Sequence, residues 1–418
     1  MRHAVVVVAL VAATALTAAA PAGAGTFTQR TYAGDAGSRP YWLYVPDRLT
    51  DRRVALVVML HGCSQDGPDF AAGTRMNALA DRDGFVVAYP EQLSAENTLG
   101  CWNWFERTDQ ERGTGEPAII AGIAREVMRE HRIDARRVHV AGLSAGGAMA
   151  TIMGATYPDL FASIGVSAGL EYRAAEDLPS GLAAQQFGGP DPDEQGRLAV
   201  AASGGRARPL PAIVFHGDSD ATVSPVNGEQ VVAQWAQVAD LTDGGDDDES
   251  VDADPDSTET VAQPDRRTAT RSLHLGSGGR TIVESWVIHG MTHAWSGGGA
   301  DGSYTDPTGP DASEEILRFF AANPRPTAAQ RARLRLRRRC VDGPRLRVRV
   351  DGDGELVRSV TLRLGRRTVR TARRLPLVHL IGPRRLARTR ASRVRAVVEL
   401  EARSRPVVLR RSLRRCGA

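Results

Sequence analysis

A serine set between two glycines is where this chain could do covalent chemistry. Gly142-Leu143-Ser144-Ala145-Gly146 is a G-x-S-x-G sequence. The apolar run Val138 to Leu143 leads into it, and the helix-like stretch Gly147 to Thr156 follows. A sharp turn from strand to helix is the geometry that exposes a serine hydroxyl at the rim of a sheet. The flanking glycines fit because a Cβ at either position would crowd such a turn. The five letters alone are weak, since a glycine-rich turn with an incidental serine reads the same. The setting between strand and helix is what makes them informative.

A serine hydroxyl attacks only when a base takes its proton. Two later segments offer a base and an acid. His216-Gly217-Asp218-Ser219-Asp220 ends a buried-type run, and His289-Gly290-Met291-Thr292-His293-Ala294-Trp295 follows the run Thr281 to Ile288. His289 directly ends its strand and is expected to be held in the sheet. His293 lies further into the loop and is the expected base. Asp220 is set deeper than Asp218 and is the expected acid, orienting the imidazole. His216 is expected to hydrogen-bond the loop backbone. The tetrahedral intermediate needs donors for its oxyanion. The N–H of Ala145, at the helix start, is one. The N–H of Cys63, in the loop His61-Gly62-Cys63-Ser64-Gln65, is the other.

Positioning these groups requires strands whose ends share one edge. Val54 to Leu60, Phe85 to Tyr89, Val138 to Leu143 and Pro211 to His216 are short runs apolar on both faces. Such runs imply strands covered by helices on both sides. Glu116 to His131 and Gly228 to Ala239 have helical spacing. Strand alternating with helix predicts a mostly parallel doubly wound sheet, and the order Ser, Asp, His is that of the α/β-hydrolase fold. Residues 25–323 are expected to form this domain. Residues 240–268, rich in Asp, Gly, Ser and Thr, are expected to be a disordered acidic insertion. The carboxylates from Asp247 to Asp256 match no calcium loop, and no metal site is expected.

Two other regions stand apart. Met1 to Ala24 has a basic head, an apolar middle and a small-x-small end, the order of a secretory signal peptide. No later stretch is long and apolar enough to span a bilayer, so no membrane association is expected after cleavage. Four cysteines in an exported chain favour disulfides, and their positions suggest Cys63 with Cys101 and Cys340 with Cys416. Beyond a linker at 324–339, residues 340–418 alternate with period two, which predicts a small β-sandwich-like domain. The 53 basic residues are all arginine, and the net charge of +4 hides an asymmetry. From Arg325 onward there are roughly thirty arginines against about six acids, while everything before is net acidic.

Taken together, the segments resemble the extracellular polyhydroxybutyrate (PHB) depolymerase-type esterases. The resemblance is carried by His61 to Gln65, Tyr89-Pro90-Glu91-Gln92, Cys101-Trp102-Asn103-Trp104-Phe105, Gly142 to Met149, Gly290 to Gly298 and Asp306 to Ala312, in the family's order. It implies carboxylic-ester hydrolysis without a cofactor. It supports Ser144, Asp220 and His293 as the triad and Cys63 as an oxyanion donor. The same look extends to feruloyl and acetylxylan esterases, so the ester is left open between a polyester chain and a small or polysaccharide-borne ester. Trp102, Trp104 and Trp295 are candidates for an apolar substrate-binding platform, against the alternative that they are core. A serine peptidase and a non-catalytic binding protein are the rival readings. For the arginine-rich tail, an anionic surface or the chain's own acidic insertion are the electrostatic partners; a nucleic-acid reading rests on the tail alone.

Overall fold

The computed structural model describes residues 25–49, 52–243, 247, 249–276, 279–326, 333–337, 346–351, 357–364, 367–373, 377–382, 393–400 and 407–412. The expected signal segment, Cys340 and Cys416 lie outside the described residues.

Strands β1 (Thr26–Gly34), β2 (Gly37–Val45), β3 (Val54–Leu60), β4 (Val86–Pro90), β5 (Ile133–Leu143), β6 (Ile164–Ser167), β7 (Ala212–Gly217), β8 (Ser257–Val261), β9 (Ala269–Gly276) and β10 (Arg280–Ile288) form one sheet. Its order is β1-β2-β4-β3-β5-β6-β7-β10-β9-β8. The six strands from β4 to β10 run parallel, and the outer pairs at each edge are antiparallel. The chain therefore has the α/β-hydrolase fold that the alternation of runs predicts.

Alternation along β3 shows why its seven residues are all apolar. Leu56, Val58 and Leu60 face one core, with Ile119, Ile120, Ile123 and Val127 of α3 (Gly115–Glu130). That core also takes α4 (Ala145–Thr156), α5 (Leu178–Phe187), α6 (Pro192–Ser203) and α7 (Val226–Asp243). Val57 and Met59 face the other core, with α1 (Gly67–Thr74), α2 (Met76–Asp83) and α8 (Ala312–Ala322). A strand buried on both faces has no polar side to show.

The acidic segment is more ordered than its composition predicts. Helix α7 runs to Asp243, and Ser257–Val261 pairs with β9 as the edge strand β8. The reason is Asp240, a fully buried carboxylate that accepts the N–H of Ser250 at 2.7 Å and the Ser250 hydroxyl at 2.6 Å. Asp247 is tied down as well, by Gln237 at 3.0 Å and Arg197 at 3.2 Å. Thr258 and Thr260 then supply β-compatible residues for the strand.

Two short strands, β11 (Trp295–Ser296) and β12 (Thr305–Asp306), close the loops beside the sheet. After residue 326 comes a separate β unit. Strands β13 (Arg333–Arg337), β14 (Leu346–Asp351) and β17 (Leu377–Ile381) form one sheet. β15 (Val357–Leu364), β16 (Arg367–Ala372), β18 (Arg393–Leu400) and β19 (Val407–Ser412) form another. Leu346, Val348 and Val350 from the first meet Val360, Leu362, Val394 and Ala396 from the second in a common core. β13 falls inside the expected linker. Its sequence, Arg-Leu-Arg-Leu-Arg, already has period two, and it pairs antiparallel with β14.

Candidate active site

Parallel register delivers four loops to one edge. Leu60 is level with Gly142, Leu143 with Ser167, Ser167 with Phe215, and Phe215 with Trp286. The chain after β3, β5, β7 and β10 therefore leaves the sheet on the same side, where parallel sheets place their sites.

Ser144 joins β5 to α4 at φ 57° and ψ −121°. A non-glycine residue rarely holds such angles, and packing on both sides enforces them here. A Cβ at Gly142 would lie 2.2 Å from Gly146 O, and one at Gly146 would lie 2.1 Å from Leu60 O. The Ser144 N–H donates to Ser167 O at 2.9 Å. Ser144 is a buried residue at the head of α4.

The loop after β7 carries Asp220. Its Oδ1 accepts the N–H groups of Thr222 at 2.8 Å and Val223 at 2.9 Å. Its Oδ2 accepts from His293 Nδ1 at 2.7 Å. An ionised carboxylate only accepts, so His293 Nδ1 carries a proton toward Asp220 and Nε2 is the ring nitrogen left for the serine. His216 Nε2 contacts Val223 O at 2.9 Å and lies 3.5 Å from the same Asp220 oxygen. Burial works to raise the Asp220 carboxyl. Hydrogen bonds from His216 and His293, the nearby imidazole charge and the Val223 N–H outweigh it and hold the group well below the usual carboxylate range.

The runner-up pair is built the same way. His289 Nδ1 meets Asp218 Oδ2 at 2.9 Å, and Gly290 N–H donates to Asp218 Oδ1 at 2.6 Å. His289 Nε2 is within 3.0 Å of Thr270 Oγ1, which fixes the ring against β9. The two aspartates and two histidines thus pair in order and lace the β7 and β10 loops together.

The oxyanion loop packs directly on the serine. A Cβ on Gly62 would lie 3.4 Å from Ser144 Cβ. The Ser64 N–H donates to Leu99 O at 2.8 Å, while among the described residues the Cys63 N–H makes no hydrogen bond. Ala145 opens α4, so its N–H has no acceptor within the helix. Cys63 is bridged to Cys101, with Cα atoms 4.2 Å apart. His61 holds the loop from below. Its Nδ1 bonds Gly62 O at 2.7 Å, and its Nε2 accepts the Gln92 N–H at 3.1 Å. Burial lowers its pKa, so it stays neutral.

Sequence reading missed two residues at this edge. Tyr304 places its hydroxyl 3.2 Å from Ser64 Oγ and its ring 6.4 Å from that of His293. It is 48% exposed and spans the gap between the oxyanion loop and the His293 loop. Its signal was a lone aromatic in a Gly- and Ser-rich loop. Glu116, buried at the start of α3, accepts the Asn103 N–H at 2.8 Å and Nδ2 at 3.0 Å, and also the Gln92 amide. It anchors the strip that carries Cys101, and nothing in its spacing marked it.

The three tryptophans sit in the core. Trp102, Trp104 and Trp295 are 0%, 3% and 1% exposed. Trp102 Nε1 donates to His61 O at 3.1 Å and Trp295 Nε1 to Ser313 Oγ at 3.0 Å. They brace the site's loops and present no platform. Among the described residues no group of three or more His, Cys, Asp or Glu is placed to hold a metal. No described helix is long and apolar enough to cross a membrane.

A strained serine at a strand-to-helix turn, with an Asp–His pair on loops at the same sheet edge, is the pattern of the serine-hydrolase class within the α/β-hydrolase fold. The chain belongs to the esterase PHB depolymerase family, whose sequence model matches residues 39–253. It is 34% identical over 259 residues to poly(3-hydroxyalkanoate) depolymerase C of Paucimonas lemoignei, covering 62% of this chain and 58% of that protein. It is 32% identical over 223 residues to acetylxylan esterase A of Emericella nidulans, covering 51% of this chain and 72% of that protein. The structure of an acetyl xylan esterase from Aspergillus awamori matches 71% of this chain and 100% of its own, with a TM-score of 0.57 at 23% identity. This last likeness is one of fold.

Proposed function

We propose that the chain is an exported serine carboxylic-ester hydrolase. The observation that carries the reading is the 2.7 Å bond between His293 Nδ1 and Asp220 Oδ2, at the sheet edge where Ser144 is held at φ 57°. In this reading His293 Nε2 takes the Ser144 proton as Oγ attacks the ester carbonyl. The developing oxyanion is met by the N–H groups of Cys63 and Ala145. Collapse breaks the ester C–O bond, and His293 returns the proton to the departing alkoxide. Water then gives a proton to His293 and attacks the acyl-enzyme; collapse breaks the bond to Ser144 Oγ, His293 returns the proton to that oxygen, and the acid leaves. Among the described residues Ser144 Oγ makes no hydrogen bond, and such contacts often tighten only when substrate is bound. Export rests on the leader Met1 to Ala24.

Two ester classes fit. A hydroxyalkanoate polyester or its oligomers is supported by the depolymerase relative, which shares the longer matched stretch. An acyl ester on a plant polysaccharide, acetyl or feruloyl, is supported by the acetylxylan esterase relative and by the charge of the C-terminal unit, a poor device for gripping an uncharged polyester. Mature protein assayed side by side on PHB particles, acetylated xylan and methyl ferulate separates them. Clearing of the particles supports the polyester reading, and acetate or ferulate release without clearing supports the other. Undiminished hydrolysis of a p-nitrophenyl ester by Ser144→Ala would overturn the mechanism.

A further inference from the structure

Behind the triad lies a histidine that the acyl-transfer steps do not use. His216 sits near the end of β7, in register with Val287 of β10, and is buried. Its Nε2 is 2.9 Å from Val223 O. A carbonyl oxygen only accepts, so Nε2 carries a proton toward it. The N–H of the same Val223 donates to Asp220 Oδ1 at 2.9 Å, and Asp220 Oδ2 accepts from His293 Nδ1 at 2.7 Å. His216 Nε2 also stands 3.5 Å from Asp220 Oδ2. One imidazole on a buried strand therefore bears on both carboxylate oxygens. It reaches Oδ1 through Val223 and faces Oδ2 directly.

The far side of the ring is unfavourable. His216 Nδ1 is buried and has no hydrogen-bond partner among the described residues. Helix α7 closes on it, since a Cβ at Gly228 would lie 2.6 Å from Nδ1 and 2.9 Å from Cγ. A buried nitrogen without a partner costs free energy that an apolar side chain of similar size would not. Such departures concentrate where function requires them. Among the described residues, every polar contact of the ring goes to the loop that carries Asp220. We propose that His216 is a positioning residue of the triad. Its Nε2–H holds Val223 and so fixes the Asp220 carboxylate in the orientation from which Oδ2 meets His293. This role rests on the serine-hydrolase reading above.

The test compares full mature chains on p-nitrophenyl acetate. Gln can place an N–H near the position of Nε2, whereas Leu fills the space without a donor. H216L should lower kcat per active site about thirtyfold, with KM changed less than about twofold, because slight misplacement of a catalytic group is enough for such a loss. Sites are counted by fluorophosphonate titration to completion, so loss of folded protein changes the count and not the rate per site. H216Q should return to within about threefold of native. G228A alters no titratable group but sets a methyl against the ring, and should lower kcat per site about fivefold. Over D220N, H216L should cost less than about threefold more, since residues acting through one another are not additive. Proton NMR reads the same geometry without turnover. The far-downfield resonance of the His293 Nδ1 proton should be present in the native chain and in H216Q, and shifted or lost in H216L. Native kcat per site in H216L or G228A, equal loss in H216Q and H216L, or the full loss persisting over D220N would overturn the proposal. A native resonance that is lost in H216L, in a chain that hydrolyses no ester, would count against the esterase reading and leave the positioning role standing.

Discussion

At the residue scale, one carboxylate oxygen decides how the site is tuned. Asp220 Oδ2 receives His293 and lies near His216, while Oδ1 is occupied by two backbone N–H groups. Asp220→Asn keeps the size but can present N–H to His293, forcing the proton onto Nε2 and removing the base. A fall in kcat of about a thousandfold or more is expected, with KM changed little. A small effect would mean that another group orients His293. Glu116 provides a pH-dependent counterpart. Burial first, then Asp109, pushes its carboxyl up to about 8, against the pull of the Asn103 and Gln92 donors and Arg39. Its folded value lies above its unfolded one. Its contribution to stability is therefore fully present below the unfolded value of 4.5 and is lost as pH rises through about 8. Between about pH 5 and about pH 8 the melting temperature of the native chain should fall more steeply than that of Glu116→Gln. Parallel curves would contradict this.

At the scale of elements, the site is a set of loops braced from behind. The Cys63–Cys101 bridge closes a separation of 38 residues and joins the oxyanion loop to the strip held by Glu116. Replacing both cysteines with serine should lower stability by about 3–4 kcal/mol on loop entropy alone. It should also lower kcat by loosening the Cys63 N–H. A denaturation midpoint that does not move, with unchanged kcat, would show that the bridge positions nothing. Much of this level is legible in the residues. The apolar runs mark the parallel strands, and Gly142 and Gly146 mark a turn in which a Cβ would strike backbone oxygen. Loop depth alone pairs His293 with Asp220 over the alternatives. The rest depends on tertiary contacts that spacing does not carry. Trp102 and Trp295 look like surface aromatics beside a motif, but their indole N–H groups find acceptors inside. The acidic stretch looks disordered by composition, but one buried aspartate, Asp240, organises it. Tyr304 and Glu116 come to the site only through the fold.

At the scale of the whole molecule, the chain has two cores flanking the large sheet and a third inside the C-terminal sandwich. Domains with separate cores unfold as separate units unless a large interface couples them. Calorimetry should resolve two transitions, and Arg347→Gln with Arg349→Gln should move only the one belonging to the sandwich. A single transition shifted as a whole would mean that the units fold together. The central claim, that Ser144 is activated, has a more direct test. A fluorophosphonate probe reacts with a serine only when a base has raised its nucleophilicity. Mass spectrometry of the labelled mature protein should find one adduct, on the peptide containing Ser144, and no adduct in Ser144→Ala or His293→Ala. An adduct elsewhere, or labelling of Ser144 that persists without His293, would contradict the account.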